Sequence, residues 1–179
     1  MINNLNGITK EPLLIRYATE QDLPAIVEIY NHAIVNTTAT YDYTPYQVHQ
    51  RKPWFDRLTQ GNYPILVWEE QGEIAGYAAL EPFRPDRAYC ASVMHSIYLS
   101  PNHKGKGIGF KLVEALIIEA KQHDFATMIA EIDGANPASI ALHQKLGFTY
   151  AGTLKNAAKK FDTWLDLVFY EYDLLGETQ

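Results

Sequence analysis

The chain has 179 residues, 47% of them hydrophobic, and a formal net charge of −6 at pH 7. This length suits one domain with a real core, and the acidic balance argues against nucleic acid as the main partner. A single cysteine, Cys90, excludes a disulfide framework within the chain, and no apolar run reaches membrane-spanning length, so we expect a cytoplasmic protein with no membrane partner.

The first quarter of the chain predicts an arm, a short strand and two helices. Residues 1–12 are polar and predict a flexible arm, which leaves 13–176 as a single domain. Thr19 is expected to cap a first helix whose apolar positions share one face. These positions are Leu23, Ile26, Val27, Ile29, Tyr30, Ala33 and Ile34.

The second helix is predicted to begin at a capping box over 44–47. Pro53 should kink or split this helix, because proline removes one backbone hydrogen bond and clashes with the preceding turn. Its buried side is expected to carry Val48, Trp54, Phe55 and Leu58.

A hairpin and a proline-stiffened loop follow. Residues 63–69 and 73–81 predict two antiparallel strands around a tight turn. The segment 82–87 carries Arg84 and Arg87 between and beside two prolines. It is either an exposed loop with solvated charges or a clamp for a carboxylate, since the planar arginine fork suits bidentate anions.

The most informative stretch runs from Met94 to about His123. It predicts a strand to Leu99, then a loop with glycine at every second position, then an amphipathic helix. Glycines let successive amides point into one concavity, and the helix adds its positive end, which favours a phosphate or pyrophosphate. The Walker pattern fails because Gly107 follows Lys106, and the dinucleotide pattern fails because Phe110 replaces its third glycine. The alternative is a soft strand-to-helix turn with solvated lysines.

The remaining elements complete an α/β (α+β) pattern. A buried parallel strand is predicted over 127–132, a helix capped by Asn136 and ended by Gly147, and strands over 148–154 and 164–175. This order predicts a mixed central sheet with helices on both faces.

Two motifs in this order resemble the GNAT N-acetyltransferase superfamily. The glycine loop is similar to the family's Arg/Gln-x-x-Gly-x-Gly/Ala pattern, and the segment 136–148 is similar to its asparagine–helix–Leu-Gly-Phe motif. Further segments, among them 82–85, 95–98 and 161–166, are most similar to the phosphinothricin and methionine sulfone (sulfoximine) acetyltransferase branch. The resemblance implies a GNAT fold with the sheet splayed at the cofactor site.

The resemblance also implies an activity, a cosubstrate and a set of site residues. It implies an N-acetyltransferase that uses acetyl-CoA and no metal, acts on the amine of a small amino-acid-like substrate by direct attack on the thioester, and forms a homodimer. Expected cofactor-binding residues are Ile97, Tyr98, Leu99, Lys104, Gly105, Lys106, Gly107, Ile108, Gly109, Phe110 and Asn136. Expected substrate-binding residues are Arg84, Pro85, Asp86, Met94, His95 and Ser96, and Ser96 and His143 are the catalytic candidates.

Met94 departs from the pattern of this branch, which has a glutamate there as general base. Strand alternation puts Met94 and Ser96 on one face and His95 on the other, so His95 is a poor substitute. Glu81 and Glu131 are candidates for a base acting from elsewhere, and His143 occupies the position of a tyrosine proposed to protonate the leaving thiolate. The alternative function is an acyl-CoA-binding protein whose catalysis is weakened or lost through Met94.

Overall fold

The structure is a computed structural model that describes residues 14–176. Its central element is one seven-stranded sheet. The expected arm at 1–12 lies outside these residues. The strand order is β1-β2-β3-β4-β5-β7-β6. The strands are β1 Ile15–Tyr17, β2 Ile65–Glu70, β3 Glu73–Pro82, β4 Ser92–Leu99, β5 Thr127–Asp133, β6 Thr149–Lys160 and β7 Thr163–Asp173. The α-helices are α1 Leu23–Asn36, α2 Val48–Gln60, α3 Ile108–Gln122 and α4 Pro137–Lys145.

The sheet opens between its two parallel strands. β4 and β5 pair over only three positions, from Ser92 with Thr127 to Met94 with Ile129. Both strands then continue, β4 along β3 as far as Leu99 and β5 along β7. The other neighbouring strands of the described sheet pair antiparallel. The expectation of a mixed, splayed sheet with helices on both faces is therefore confirmed.

Two separate cores cover the two faces of this sheet. We call the face under α1 and α2 the front, and the face under α3 and α4 the back. Along β3, Tyr77 and Ala79 belong to the front core, whereas Ala78 and Leu80 belong to the back core. Side chains therefore alternate between two buried layers, which fixes the register of the strands with little tolerance.

The apolar face of helix α1 follows the sequence prediction, but its N-cap is Asp22, because Thr19 caps the 3₁₀ turn Glu20–Asp22 that precedes the helix. The backbone N–H of Thr19 donates to Asp22 Oδ2 at 2.7 Å, across a 3₁₀ turn that leads into the helix. Arg16 Nη1 binds the same carboxylate oxygen at 2.7 Å and so ties the start of the helix to β1. All seven apolar positions predicted for its inner face are buried.

Helix α2 differs from the sequence prediction at its start and at Val48. It begins at Val48 with Gln47 as its N-cap, because Gln50 Oε1 accepts the Gln47 backbone N–H at 2.7 Å, so the predicted capping box over 44–47 is wrong. Val48 is 39% exposed and does not belong to the buried side. The helix is also not split at Pro53, since Trp54 and Phe55 beside it are held in the front core, and the expected kink stays a prediction.

The strand β6 is longer than predicted, whereas β7 is close to its predicted length. β6 continues to Lys160, and β7 lies between β5 and β6, so the edge of the sheet is β6 rather than the last strand. None of the helices in the described part combines the length and hydrophobicity that a bilayer crossing requires.

Candidate active site

The glycine loop presents a row of backbone amides that the protein leaves free. Gly105 and Gly107 adopt the left-handed region, at φ +76° and +79°, and a Cβ added at either would meet nothing within 4 Å. Within the described residues, none of the backbone N–H groups from 104 to 110 donates to a protein acceptor. Because they precede or open the 15-residue helix α3, its positive end adds to them. This arrangement suits a phosphate or diphosphate group.

Close packing fixes the loop above the gap in the sheet. A Cβ on Gly109 would lie 3.2 Å from Leu142 Cδ1 and 3.4 Å from Ile97 Cδ1, so a larger residue would have to push these side chains aside for the first turn of α3 to approach β4 and α4 so closely. The loop therefore sits directly at the carboxyl end of β4. Lys104 and Lys106 stand exposed beside it.

Asn136 occupies the corresponding position beyond β5. Its Oδ1 accepts the backbone N–H of Ser139 at 3.1 Å, which caps α4. Since β4 and β5 are parallel, Asn136 and the glycine loop lie at the same edge of the sheet, on opposite sides of the gap. The backbone of Ile97, Tyr98 and Leu99 borders this gap, because β4 has no strand partner on that side after Met94. Thus the structure brings the predicted cofactor residues together around one opening.

The side chain of Tyr98 has a packing role. Its ring centre lies 5.0 Å from that of Tyr30 and 5.5 Å from that of Tyr77 in the front core. Its hydroxyl donates to the carbonyl oxygen of Ala39 at 3.4 Å. Only the backbone of Tyr98 therefore faces the gap.

Met94 and Ser96 lie on the front face, as alternation predicted. The register pairs Met94 with Glu81 and Ser96 with Ala79 on β3. On the other side, Met94 pairs with Ile129, the last paired position of β5 before the strands diverge. Met94 thus stands at the point where the gap begins.

The loop between α1 and α2, residues 37–47, covers the front of the gap, and we call it the front loop. Thr38 donates from its hydroxyl to Asp133 at the end of β5, and the side chain of Lys160 donates to the carbonyl oxygen of Thr40 at 2.6 Å. Lys160 is 1% exposed, and burial lowers the pKa of its ammonium group. Burial raises the pKa of Tyr41 to about 12, with the Asp133 and Glu131 carboxylates adding to the effect.

Sequence reasoning missed Asp133 and Lys160. Asp133 could have been found as a carboxylate directly after a buried strand. Lys160 gave no signal, because it stands next to Lys159 in a polar stretch that resembles a solvated loop.

The predicted substrate residues Arg84, Pro85 and Asp86 lie in the exposed segment after β3. Arg84 folds back on its neighbour, since its Nη1 donates to the Phe83 carbonyl oxygen at 2.9 Å and its guanidinium lies 4.1 Å from the Phe83 ring centre. It is also near enough to Glu131 to oppose the rise in the pKa of that carboxyl. Arg84 thus borders the front of the gap from the β3 side.

His95 and His143 form a buried pair on the back face. His143 Nδ1 donates to the Ser139 carbonyl oxygen at 2.7 Å, so its Nε2 accepts from His95 Nε2 at 2.8 Å. Phe148 packs on both rings, at 5.5 Å and 5.0 Å between ring centres. Burial lowers the pKa of His95 to about 3, with His143 adding to the effect, and burial also lowers the pKa of His143. His95 Nδ1 lies 3.2 Å from the Ile129 carbonyl oxygen and carries no proton in the neutral pair. Protonating it would form this hydrogen bond but would bury a positive charge.

This pairing bears on two expectations, that His95 binds substrate and that His143 protonates the leaving thiolate. The ring of His95 is buried away from Met94 and Ser96, so only its backbone borders the front. Both ring nitrogens of His143 are engaged within the protein. The expected role of His143 as a proton donor stays a prediction, and the contacts favour a positioning role through His95 and β4.

The family described as "Acetyltransferase (GNAT) domain" matches residues 15–169. The L-methionine sulfoximine/L-methionine sulfone acetyltransferase of Pseudomonas aeruginosa is 42% identical over 161 residues, which cover 89% of this chain and 94% of that protein. The structure of an N-acetyltransferase from Staphylococcus aureus Mu50 superposes with a TM-score of 0.88 at 49% identity, covering 89% of this chain and 97% of the other. A GNAT phosphinothricin acetyltransferase from Sinorhizobium meliloti, in complex with AcCoA, gives a TM-score of 0.87 at 41% identity, covering 89% and 86%.

The histidine pair predicts a loss of stability in acid. The unfolded chain takes up a proton at His95 near pH 6.5, whereas the folded chain does so only near pH 3. The stability is therefore complete above pH 6.5 and falls below it, by about 2 kcal/mol at pH 5 from His95 alone. His95→Gln keeps a donor for His143 and removes this titration, so its urea-unfolding free energy should change less between pH 7.5 and 5. The exposed His49 serves as control, and a His49→Gln variant with the same flattening would contradict the assignment.

Proposed function

We propose, from the premise that this chain belongs to the GNAT acetyltransferase family, that its substrate is the amine of a small amino acid analogue. Family membership makes the chain an acetyl-CoA-dependent N-acetyltransferase. The observation that carries the substrate class is its 42% identity to an enzyme named for methionine sulfoximine and methionine sulfone, over nearly the whole of both chains. The comparisons give no support to the alternative of an acyl-CoA-binding protein without catalysis. We also propose a cytoplasmic location, where acetyl-CoA is a common metabolite.

The residues around the gap fit acetyl-CoA. The free amides of the glycine loop offer donors for its diphosphate, and the unpaired edge of β4 offers donors and acceptors for an extended chain bearing amide groups. We assign cosubstrate binding to Ile97, Tyr98 and Leu99 through their backbone, to the loop from Lys104 to Phe110, and to Asn136. When bound, acetyl-CoA supplies an activated acyl group and a good leaving thiolate.

The chain's own residues then position the amine and stabilise charge. Backbone N–H groups of β4 beside the gap are suited to hold a developing oxyanion. We assign substrate contacts to Arg84, Pro85 and Asp86 and to the front of β4 at Met94 and Ser96. Arg84 is the candidate for the substrate carboxylate, because its guanidinium borders the front of the gap and makes no ion pair with a described residue.

Met94 weakens this chemistry without excluding it. General acid–base assistance is worth roughly 10²–10⁴-fold, whereas holding two reactants together supplies about 7–11 kcal/mol of the barrier reduction. An enzyme that lacked the glutamate and had no substitute would lose only the acid–base contribution, which is smaller in free energy than the contribution of positioning. The proton still has to leave the amine, which makes the choice of acceptor the open question of the site.

A substrate screen tests the proposal. Release of CoA from acetyl-CoA should depend on methionine sulfone, methionine sulfoximine or phosphinothricin, and mass spectrometry should find the acetyl group on the amine. The matched control is 3-(methylsulfonyl)propylamine, which is methionine sulfone without its carboxylate and should give a much lower kcat/KM. Equal rates for the two compounds would contradict an amino-acid-like substrate, and acetyl-CoA binding without turnover on any amine would restore the alternative.

The glycine loop offers a separate test of cosubstrate binding. Gly107→Ala puts a Cβ on a residue at φ +79°, which costs about 1–2 kcal/mol and disfavours the loop shape that binds, so the Kd for acetyl-CoA should rise roughly 5–30-fold. Gly72→Ala is matched, because Gly72 has φ +83° in the turn between β2 and β3, also with open space. Calorimetry should find the Gly72 variant binding as the wild type does. Equal affinity of the Gly107 variant would remove the loop from the cosubstrate site.

We further propose a homodimer that uses the hairpin of β6 and β7. This hairpin exposes four large hydrophobic side chains, and β6 is an edge strand, features that mark interfaces. The four are Tyr150, Leu154, Phe161 and Trp164, between 54% and 61% exposed. Sedimentation should find a dimer that Trp164→Arg dissociates and that Leu175→Arg, two residues beyond the other end of β7, leaves intact. A wild-type monomer at micromolar concentration would reject the dimer.

A further inference from the structure

The amine's proton needs an acceptor at the front of the gap, and Met94 cannot provide one. This inference rests on the proposed function, since it concerns the same reaction. Three carboxylates stand on the front face of β3 and β5 near the start of the gap, namely Glu81, Glu131 and Asp133. The three carboxylates differ in whether they already take part in hydrogen bonds or ion pairs.

Glu81 and Asp133 are already engaged. Glu81 is the direct cross-strand neighbour of Met94, but its carboxylate pairs with Arg57 Nη2 at 3.2 Å. Asp133 is 5% exposed, and its two oxygens accept from the Thr38 hydroxyl and from the Ala135 backbone N–H at 3.0 Å. Neither carboxylate can take up a substrate ammonium without giving up contacts that it already makes.

Glu131 is different, because no hydrogen bond or ion pair of its carboxylate is found anywhere in residues 14–176. Met94 pairs with Ile129, and Glu131 follows two residues later on the same face of β5. At that position β4 and β5 have separated, so Glu131 projects beside the opening, on the side across from Ser96. It is half-buried, and Tyr41 of the front loop and Arg84 of the segment after β3 are both near enough to interact with its charge.

Its surroundings also strengthen it as a base. Burial raises the pKa of Glu131, and the nearby Arg84 guanidinium only partly opposes this. Tyr41 is near enough to interact with its charge, Asp133 lies two residues further along the same face of β5, and Glu171 of β7 lies opposite Ile129 on that face; none of these three groups supplies a positive charge. A carboxylate with a raised pKa removes a proton from an ammonium group more readily.

We propose that Glu131 is the general base of this enzyme and takes the role of the glutamate that Met94 replaces. Its carboxylate accepts one proton from the substrate ammonium, directly or through one water, and leaves a neutral amine. The nitrogen lone pair forms the C–N bond at the acetyl carbonyl, the C–S bond breaks and its electron pair leaves on the CoA sulfur. The acylated nitrogen gives up its second proton, which neutralises the thiolate, and Glu131 later releases its own proton to solvent.

Glu131→Gln keeps the shape of the side chain and removes the acceptor. With methionine sulfone at pH 7, we expect kcat to fall at least 100-fold while the Kd for acetyl-CoA stays within threefold, because general-base catalysis contributes at least that factor. The deficit should shrink as the pH rises towards 9.5, since the amine then arrives already deprotonated. A purely structural role would give a deficit that does not depend on pH.

Two companion variants locate the base. Glu81→Gln is the matched control on the neighbouring strand, and its kcat should stay within threefold of the wild type. Met94→Glu in the Glu131→Gln background returns a carboxylate to the same face at the start of the gap, and kcat should recover at least tenfold. The same Met94→Glu change in the wild type should raise kcat less than tenfold, because a base is already present.

The outcomes distinguish this proposal from the one it rests on. A Glu131→Gln variant within threefold of the wild type, or the loss appearing in Glu81→Gln instead, overturns Glu131 and leaves acetyl transfer intact. A wild type that binds acetyl-CoA but acetylates no amine overturns both. If Glu131→Gln does not fold, Glu131→Ala assayed with added formate decides, because a small carboxylate restores activity to a missing base and does nothing for a missing structural contact.

Discussion

The separation of β4 from β5 is the constraint on which the site depends. Each strand is held along its far side, β4 by β3 from Val93 to Leu99 and β5 by β7 over its full length. Neither can close the gap without breaking those ladders. The front loop spans the opening as well, since Ala39 is bound to Tyr98 of β4 and Thr38 to Asp133 of β5. Unpaired backbone groups in such a gap favour a ligand that can pair with them, because leaving them unsatisfied costs free energy.

The back face supports the same opening with different chemistry. His95 points away from the reacting side and binds His143 of α4, so the strand that carries Met94 and Ser96 is tied to the helix that Asn136 caps. Gly109 seats α3 against both. Alternation along β4 thus places Met94 and Ser96 on the face where we propose that the substrate binds, and His95 on the face that holds the strand in place. Burial of a neutral histidine pair achieves this without a charge next to the site.

Local patterns predicted the elements whose signals are local. The apolar face of α1, the hairpin of β2 and β3, and the glycine loop with its helix follow from periodicity and turn chemistry alone. The start of α2 does not, because Thr44 and Pro45 are stronger capping residues than Gln47 and only tertiary contacts decide between them. The polar run from Lys155 to Lys160 hid the length of β6 for a related reason: its strand conformation comes from pairing with β7.

The site shows the same division between local and long-range information. The sequence placed Met94 and Ser96 on one face and His95 on the other, and the structure agrees. It could not place Glu131 beside the gap or tether Lys160 to Thr40, 120 positions away, because both depend on register and on contacts between distant segments. The register of β4 and β5 also explains how the proposed general base can lie on β5 when position 94 of β4 has no carboxylate. Same-face positions on two adjacent parallel strands look into one opening, so a proton acceptor can move from β4 to β5 while the direction of attack on the thioester stays the same.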